Sequence, residues 1–281
     1  MKATLSGLIL LLAVAQLRAQ PAAGSVAEVY AVTDGHDGRF RVPQVRLPNA
    51  AVARRINQVL LRHCLDYTEG VDSTASPRRQ VRQAAVACCY DPETKTWMAG
   101  GIGYSGTDYE VLLNQGYLLS FAFGKDYNGR TELAAEHLTF DLRTGKRLTL
   151  GDLVADPPAQ LSRRFNWAID RRLKDELAAV AALYGDSAVI ANIAQLYGFY
   201  DWNKDNREPL IADSSAAEHW FEWADFALDD HALLLFHNVG MSRVEVEFLP
   251  EPRYTFPFAR ITPRGLLVPL AKADARKRKG K

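Results

Sequence analysis

Cysteine is scarce in this sequence, at three residues in 281, and that scarcity excludes a small disulfide-built scaffold. Long apolar runs are equally rare. After Leu17 no stretch approaches the ~20 apolar residues a membrane-spanning helix needs, so no transmembrane segment is expected in the mature chain. Neither charge sign dominates, with 34 Lys and Arg against 33 Asp and Glu, so the overall balance gives no sign of a nucleic-acid partner. Several catalytic signatures are missing as well. No histidine pair has the His-Glu-x-x-His spacing of a zinc hydrolase. Gly103-Tyr104-Ser105-Gly106 is followed by Thr107, where a nucleophile elbow needs glycine. Gly145-Lys146 has no upstream glycine at phosphate-loop spacing, and Arg147 stands where that loop needs Ser or Thr.

The apolar content is that of an ordinary globular protein, at 48% hydrophobic residues. The first 19 residues read as a secretory signal. Lys2 supplies the positive start, Leu5 to Leu17 the apolar core, and Leu17-Arg18-Ala19 a cleavage site. No cysteine follows that core, so a lipid anchor has no attachment atom. At the other end, KADARKRKGK carries six basic side chains against Asp274 and is expected to form a basic, disordered tail over residues 272–281.

Between these ends the pattern predicts an α+β fold. Short strands are expected at Val26 to Val32, Phe40 to Val45, Val81 to Tyr90, Thr96 to Tyr104, Tyr109 to Asn114, Tyr117 to Lys125 and Glu132 to Leu142. Their succession without intervening helices argues an antiparallel meander. Further strands are read at Phe221 to Leu228, Leu233 to His237, Arg243 to Leu249 and Tyr254 to Phe258. One helix should start after the N-cap Asn49, with Val52, Ile56, Val59, Leu60 and His63 on one face. A longer helix should follow Asp156 and Pro157, because Leu161, Phe165, Ile169, Leu173 and Leu177 recur every four residues. A third is expected around Ala188 to Tyr200.

In the run LTFDLRTGKRLTLGDLV, Leu138, Phe140 and Leu142 alternate with polar residues, Thr144-Gly145 supplies a turn, and Leu148 and Leu150 alternate again. This run resembles the signature of the DUF3298 and DUF4163 family of bacterial extracytoplasmic domains. The resemblance extends to the helix PNAAVARRINQVL, the strands YEVLLNQGYLLSFAF, and the pair FALDDHALLLFH and PRYTFPFARI. It implies a DUF4163-like segment over residues 20–135 and a DUF3298-like segment over 136–271. It also implies a cell-envelope module, as in a lysozyme-sensing anti-sigma factor and beside peptidoglycan deacetylase domains. The expected partners are an envelope protein such as lysozyme, or peptidoglycan and other glycans, in the periplasm or outside the cell. Where family members carry a Gly-Ala-His segment this chain has GKDYNGRTELAAEH, so no binding residue is carried over.

The remaining candidates come from residue chemistry. Asp201, Asn203 and Asp205 occupy the first three positions of a calcium loop. Asn206 stands at its glycine position and Ala212 at its twelfth, so weak calcium is the only cofactor to consider. Tyr200, Trp202, Trp220 and Trp223 flank this acidic stretch as a candidate patch for stacking sugars or meeting a cationic protein. Gly101, Gly103 and Gly106 fit a G-x-G-x-x-G string, but TDYEVLL after them alternates as a strand, without the helix a dinucleotide needs. Cys64 is expected at a helix end and Cys88-Cys89 in a strand, which makes a helix-to-sheet disulfide the favoured pairing over a Cys88 to Cys89 bridge. The expected role is a non-enzymatic ligand-binding module; the alternative is a cell-wall polysaccharide-active enzyme, hydrolase or deacetylase-like.

Overall fold

The computed structural model describes residues 27–66, 68–98, 103–127, 130–131, 136–199, 220–240 and 246–279. β1 (Glu28–Thr33) and β2 (Arg41–Arg46) form an antiparallel hairpin. Its loop is organised by buried Asp34, whose carboxylate accepts from the backbone N–H groups of His36, Gly38 and Phe40. α1 (Ala50–Leu65) starts at Asn49, whose side chain accepts from the N–H groups of Ala51 and Val52, as the sequence predicts. Asn57 on this helix both accepts from and donates to the Val45 backbone, fixing α1 to β2.

α2 (Pro77–Cys89) replaces the expected strand from Val81 to Tyr90. Pro77 opens the helix, and Gln80, Val81, Ala84, Ala85, Cys88 and Cys89 are buried at helical spacing. Alanine-rich VRQAAVACC reads as an unbroken apolar strand only when Arg82 and Gln83 are ignored. β3 (Tyr90–Asp91) and β4 (Thr96–Trp97) make a minimal hairpin.

The central sheet joins β5 (Tyr104–Gln115), β6 (Leu118–Tyr127), β7 (Arg130–Thr131) and β8 (Glu136–Asp141), with β6 pairing the other three antiparallel. The glycine string thus runs into a strand, as expected. Gly106 lets β5 approach the β1–β2 loop: a Cβ there would meet the Arg39 carbonyl at 3.0 Å. After β8 the chain turns at Gly145, with φ of 73°, and returns so that Leu148 N–H donates to Thr139 O. The alternation stops there. Thr149 caps α3 (Leu150–Leu153) through a reciprocal box with Asp152, so Leu150 belongs to a helix and not to a second strand.

α4 (Pro158–Tyr184) buries Leu161, Phe165, Ile169, Leu173 and Leu177, the stripe read from sequence, and α5 (Ser187–Leu196) follows. After α6 (Trp220–Trp223), β9 (Phe226–Leu228), β10 (Ala232–Phe236) and β11 (Arg253–Pro257) form a second sheet in the order β11-β10-β9. The expected strand from Phe221 is shorter because α6 takes its start. That expected over Arg243 to Leu249 contains a 3-10 turn at Val246–Phe248, and its first residues lie outside the described ones. α7 (Leu267–Lys279) continues into the predicted disordered tail. Buried Asp274 anchors that helix, pairing with Arg278 at 2.9 Å and with His231 at 2.8 Å.

Two large apolar cores result among the described residues, beside a small cluster of Ala227, Ala232 and Leu234. One packs α1 and α2 on Leu119, Phe121 and Phe123 of β6 and Leu138 and Phe140 of β8. The other packs α4, α5 and α7 on Phe226, Leu228, Leu233, Leu235, Tyr254 and Phe256. The two sheets meet between them, where fully buried Ser120 accepts from Leu228 N–H at 3.1 Å and shares a 2.9 Å hydrogen bond with Thr139. The architecture is α+β, in antiparallel sheets with packed helices. Among the described residues no helix is long and apolar enough to cross a membrane.

Candidate functional site

A cleft of about 380 Å³ opens at the seam between the sheets, beside the first residues of edge strand β8. Strand alternation sends Glu136 and His137 to opposite faces. Glu136 turns toward α1, where its two oxygens lie 3.1 Å from His63 Nε2 and 2.7 Å from Lys125 Nζ. His137 turns toward the second sheet. Its Nδ1 lies 3.0 and 2.9 Å from the Asp225 oxygens, and its ring stacks on Phe236 with centroids 3.5 Å apart.

Electrostatics separate these groups. Burial pushes the His63 imidazole down to about 4, reinforced by Lys125 and Arg147 and opposed by Glu136. His63 is therefore neutral at pH 7, and its ring packs edge-on against Phe123 at 4.6 Å. Glu136 then answers principally to Lys125, a buried cation that needs such a partner. The opposite rim is α6, which contributes Phe221, Glu222 and Trp223, and Asn238 completes the lining. Trp223 is 73% exposed, a large apolar ring left in water at the mouth of a polar cleft.

Of the aromatic candidates, Trp223 borders the cleft. Trp220 packs beside Phe165 and Phe221, at centroid distances of 5.8 and 5.6 Å, and serves the second core. Tyr200 and Trp202, with the calcium candidates Asp201, Asn203 and Asp205, lie outside the described residues. Among the described residues no cluster of three His, Cys, Asp or Glu side chains is arranged to hold a metal. The cysteine pairing differs from expectation: Cys88 is bonded to Cys89, and Cys64 is a buried free thiol. With both partners on α2, the premise of a helix-to-sheet bridge fails. The His63–Glu136–Lys125 and His137–Asp225 groupings were missed by sequence reasoning, since their members come from separate elements. The alternation at Glu136-His137 was the one available signal.

The chain is similar to solved structures of DUF3298 proteins, the family whose signature the Leu138 to Val154 run resembles. One, a family member from Bacteroides fragilis, is 11% identical with a TM-score of 0.44, over 88% of this chain and 98% of that one. Another, from Pseudomonas aeruginosa PAO1, is 15% identical with a TM-score of 0.42, over 86% and 94%. No protein-family model matches the sequence, and no curated protein does.

Proposed function

We propose that this chain is a secreted or periplasmic recognition module that binds a cell-wall glycan in the cleft between its sheets without turning it over. The observation that carries this reading is Trp223, exposed at the rim of a cleft lined by Glu136, Asp225 and Asn238. A flat ring beside carboxylate and amide groups suits a sugar, which offers an apolar face to stack and hydroxyl groups to bond. A cationic envelope protein such as lysozyme is the second reading, favoured by the exposed Glu222 next to Trp223.

The test is calorimetric titration of the purified protein with soluble peptidoglycan fragments and with lysozyme, followed by product analysis of the same samples. Fragment binding that is lost in Trp223→Ala, with no product formed, supports the glycan reading. Binding to lysozyme alone selects the second. Product release would establish a cell-wall-active enzyme instead, and silence toward both ligands would remove the cleft as a recognition site.

A further inference from the structure

A second groove, of about 810 Å³, runs between α4 and β11. Five arginines line it (163, 164, 171, 172 and 260), against the carboxylates Asp175 and Glu176 at one end. The helix arranges its groove residues in two rows. Arg164 and Arg172 form the inner row and are committed to β11 and its flank. Arg172 donates to the carbonyls of Glu251 and Arg253 and lies over the Tyr254 ring at 4.0 Å; Arg164 donates to Arg260 O and lies over Phe256 at 5.6 Å. Arg163, Trp167 and Arg171 form the outer row at i, i+4 and i+8, so one turn of about 6 Å separates each from the next. All three are exposed: Trp167 at 70%, and the Arg171 side chain at 85% with only a long 3.8 Å contact to Asp175.

The floor adds a polar pair. β11 is an edge strand, and Phe258 N–H to His231 O and His237 N–H to Pro252 O fix which of its residues bond to β10. Thr255, opposite Leu234, falls at a non-hydrogen-bonded position, so its N–H and C=O point away from β10. An extended peptide cannot use this edge, since Arg172 already caps the carbonyls of Glu251 and Arg253 and Pro257 lacks an N–H.

We infer that this groove binds a carboxylated polysaccharide, with Trp167 stacking on a sugar ring and Arg163 and Arg171 taking the carboxylates on either side. Guanidinium groups match carboxylates in shape and charge, and an indole between them suits a sugar backbone. This site is separate from the cleft at Trp223 and does not depend on its occupancy.

The test titrates the full chain with sodium polygalacturonate, using dextran as the neutral glycan and poly-L-glutamate of matched charge as the acidic peptide. Binding to polygalacturonate should weaken about tenfold in Trp167→Ala and in Arg171→Ala, and should weaken as salt is raised. Both variants should melt with the wild type, because the replaced side chains lie in water. Absence of binding, equal affinity for poly-L-glutamate or dextran, or indifference to Trp167→Ala would each overturn the inference.

Discussion

His137 and Asp225 join the two sheets across the candidate cleft, with the imidazole Nδ1 between 2.9 and 3.0 Å from both carboxylate oxygens and its ring stacked on Phe236. The histidine side chain is 1% exposed and that of the aspartate 34%, so the pair spans from core to solvent. Asp225→Ala leaves a buried ring nitrogen without its protein partner and should cost about 1–3 kcal/mol in urea unfolding. Glu69→Ala, exposed in the turn after α1 and away from the seam, should stay within about 0.5 kcal/mol. Equal effects would show that the pair does not hold the seam.

His63 gives the fold a defined acid sensitivity. Its folded value of about 4 lies below the ordinary imidazole value of 6.5, so between these the unfolded chain binds the proton and the folded chain resists it. Stability is then full above pH 6.5 and declines as pH falls toward 4, by at most about 3 kcal/mol from this group. His63→Phe should flatten the unfolding free energy over that window. A wild-type slope retained in the variant would assign the sensitivity elsewhere.

What could be read in advance follows from how local each signal is. The α4 stripe, the Asn49 cap and the turn at Gly145 are set within a few residues, and the structure follows them. α2 was misread because its apolar run is nearly unbroken and period alone does not separate a short buried helix from a strand. The tail's charge suggested disorder, but a single buried Asp274 with His231 and Arg278 as partners gives that segment an anchor. The cleft was illegible for another reason. His63, Lys125, Glu136, His137 and Asp225 stand on three elements and in one connecting segment, and only the folded sheets bring them together. The outer row of α4 was in plain view at four-residue spacing, overshadowed by the apolar stripe on the same helix.

Ser120 should be intolerant of a change that looks minor. Its hydroxyl is fully buried, accepts from Leu228 N–H and bonds Thr139, so Ser120→Ala strands two polar groups at the contact between sheets. A loss of about 1–3 kcal/mol is expected by denaturant titration. Replacing Ser120 and Thr139 together, by Ala and Val, should cost less than the sum of the single changes, because the second removes a hydroxyl already stranded by the first.

Cys64 should be chemically silent until the protein opens. Burial pushes its thiol up to about 12, and the thiolate is the nucleophile, so the native protein presents almost no reactive form at neutral pH. With Cys88 bonded to Cys89, iodoacetamide should leave the native protein unmodified, add one label in denaturant without reductant, and add three in denaturant after reduction. Intact mass distinguishes these states directly. One label in denaturant is also what a Cys64 bridge to either neighbour would give, so the decisive step is proteolysis of the unreduced, labelled chain. The label on a peptide containing Cys64 confirms the arrangement; the label on Cys88 or Cys89 would move the disulfide to Cys64, as a bridge between α1 and α2.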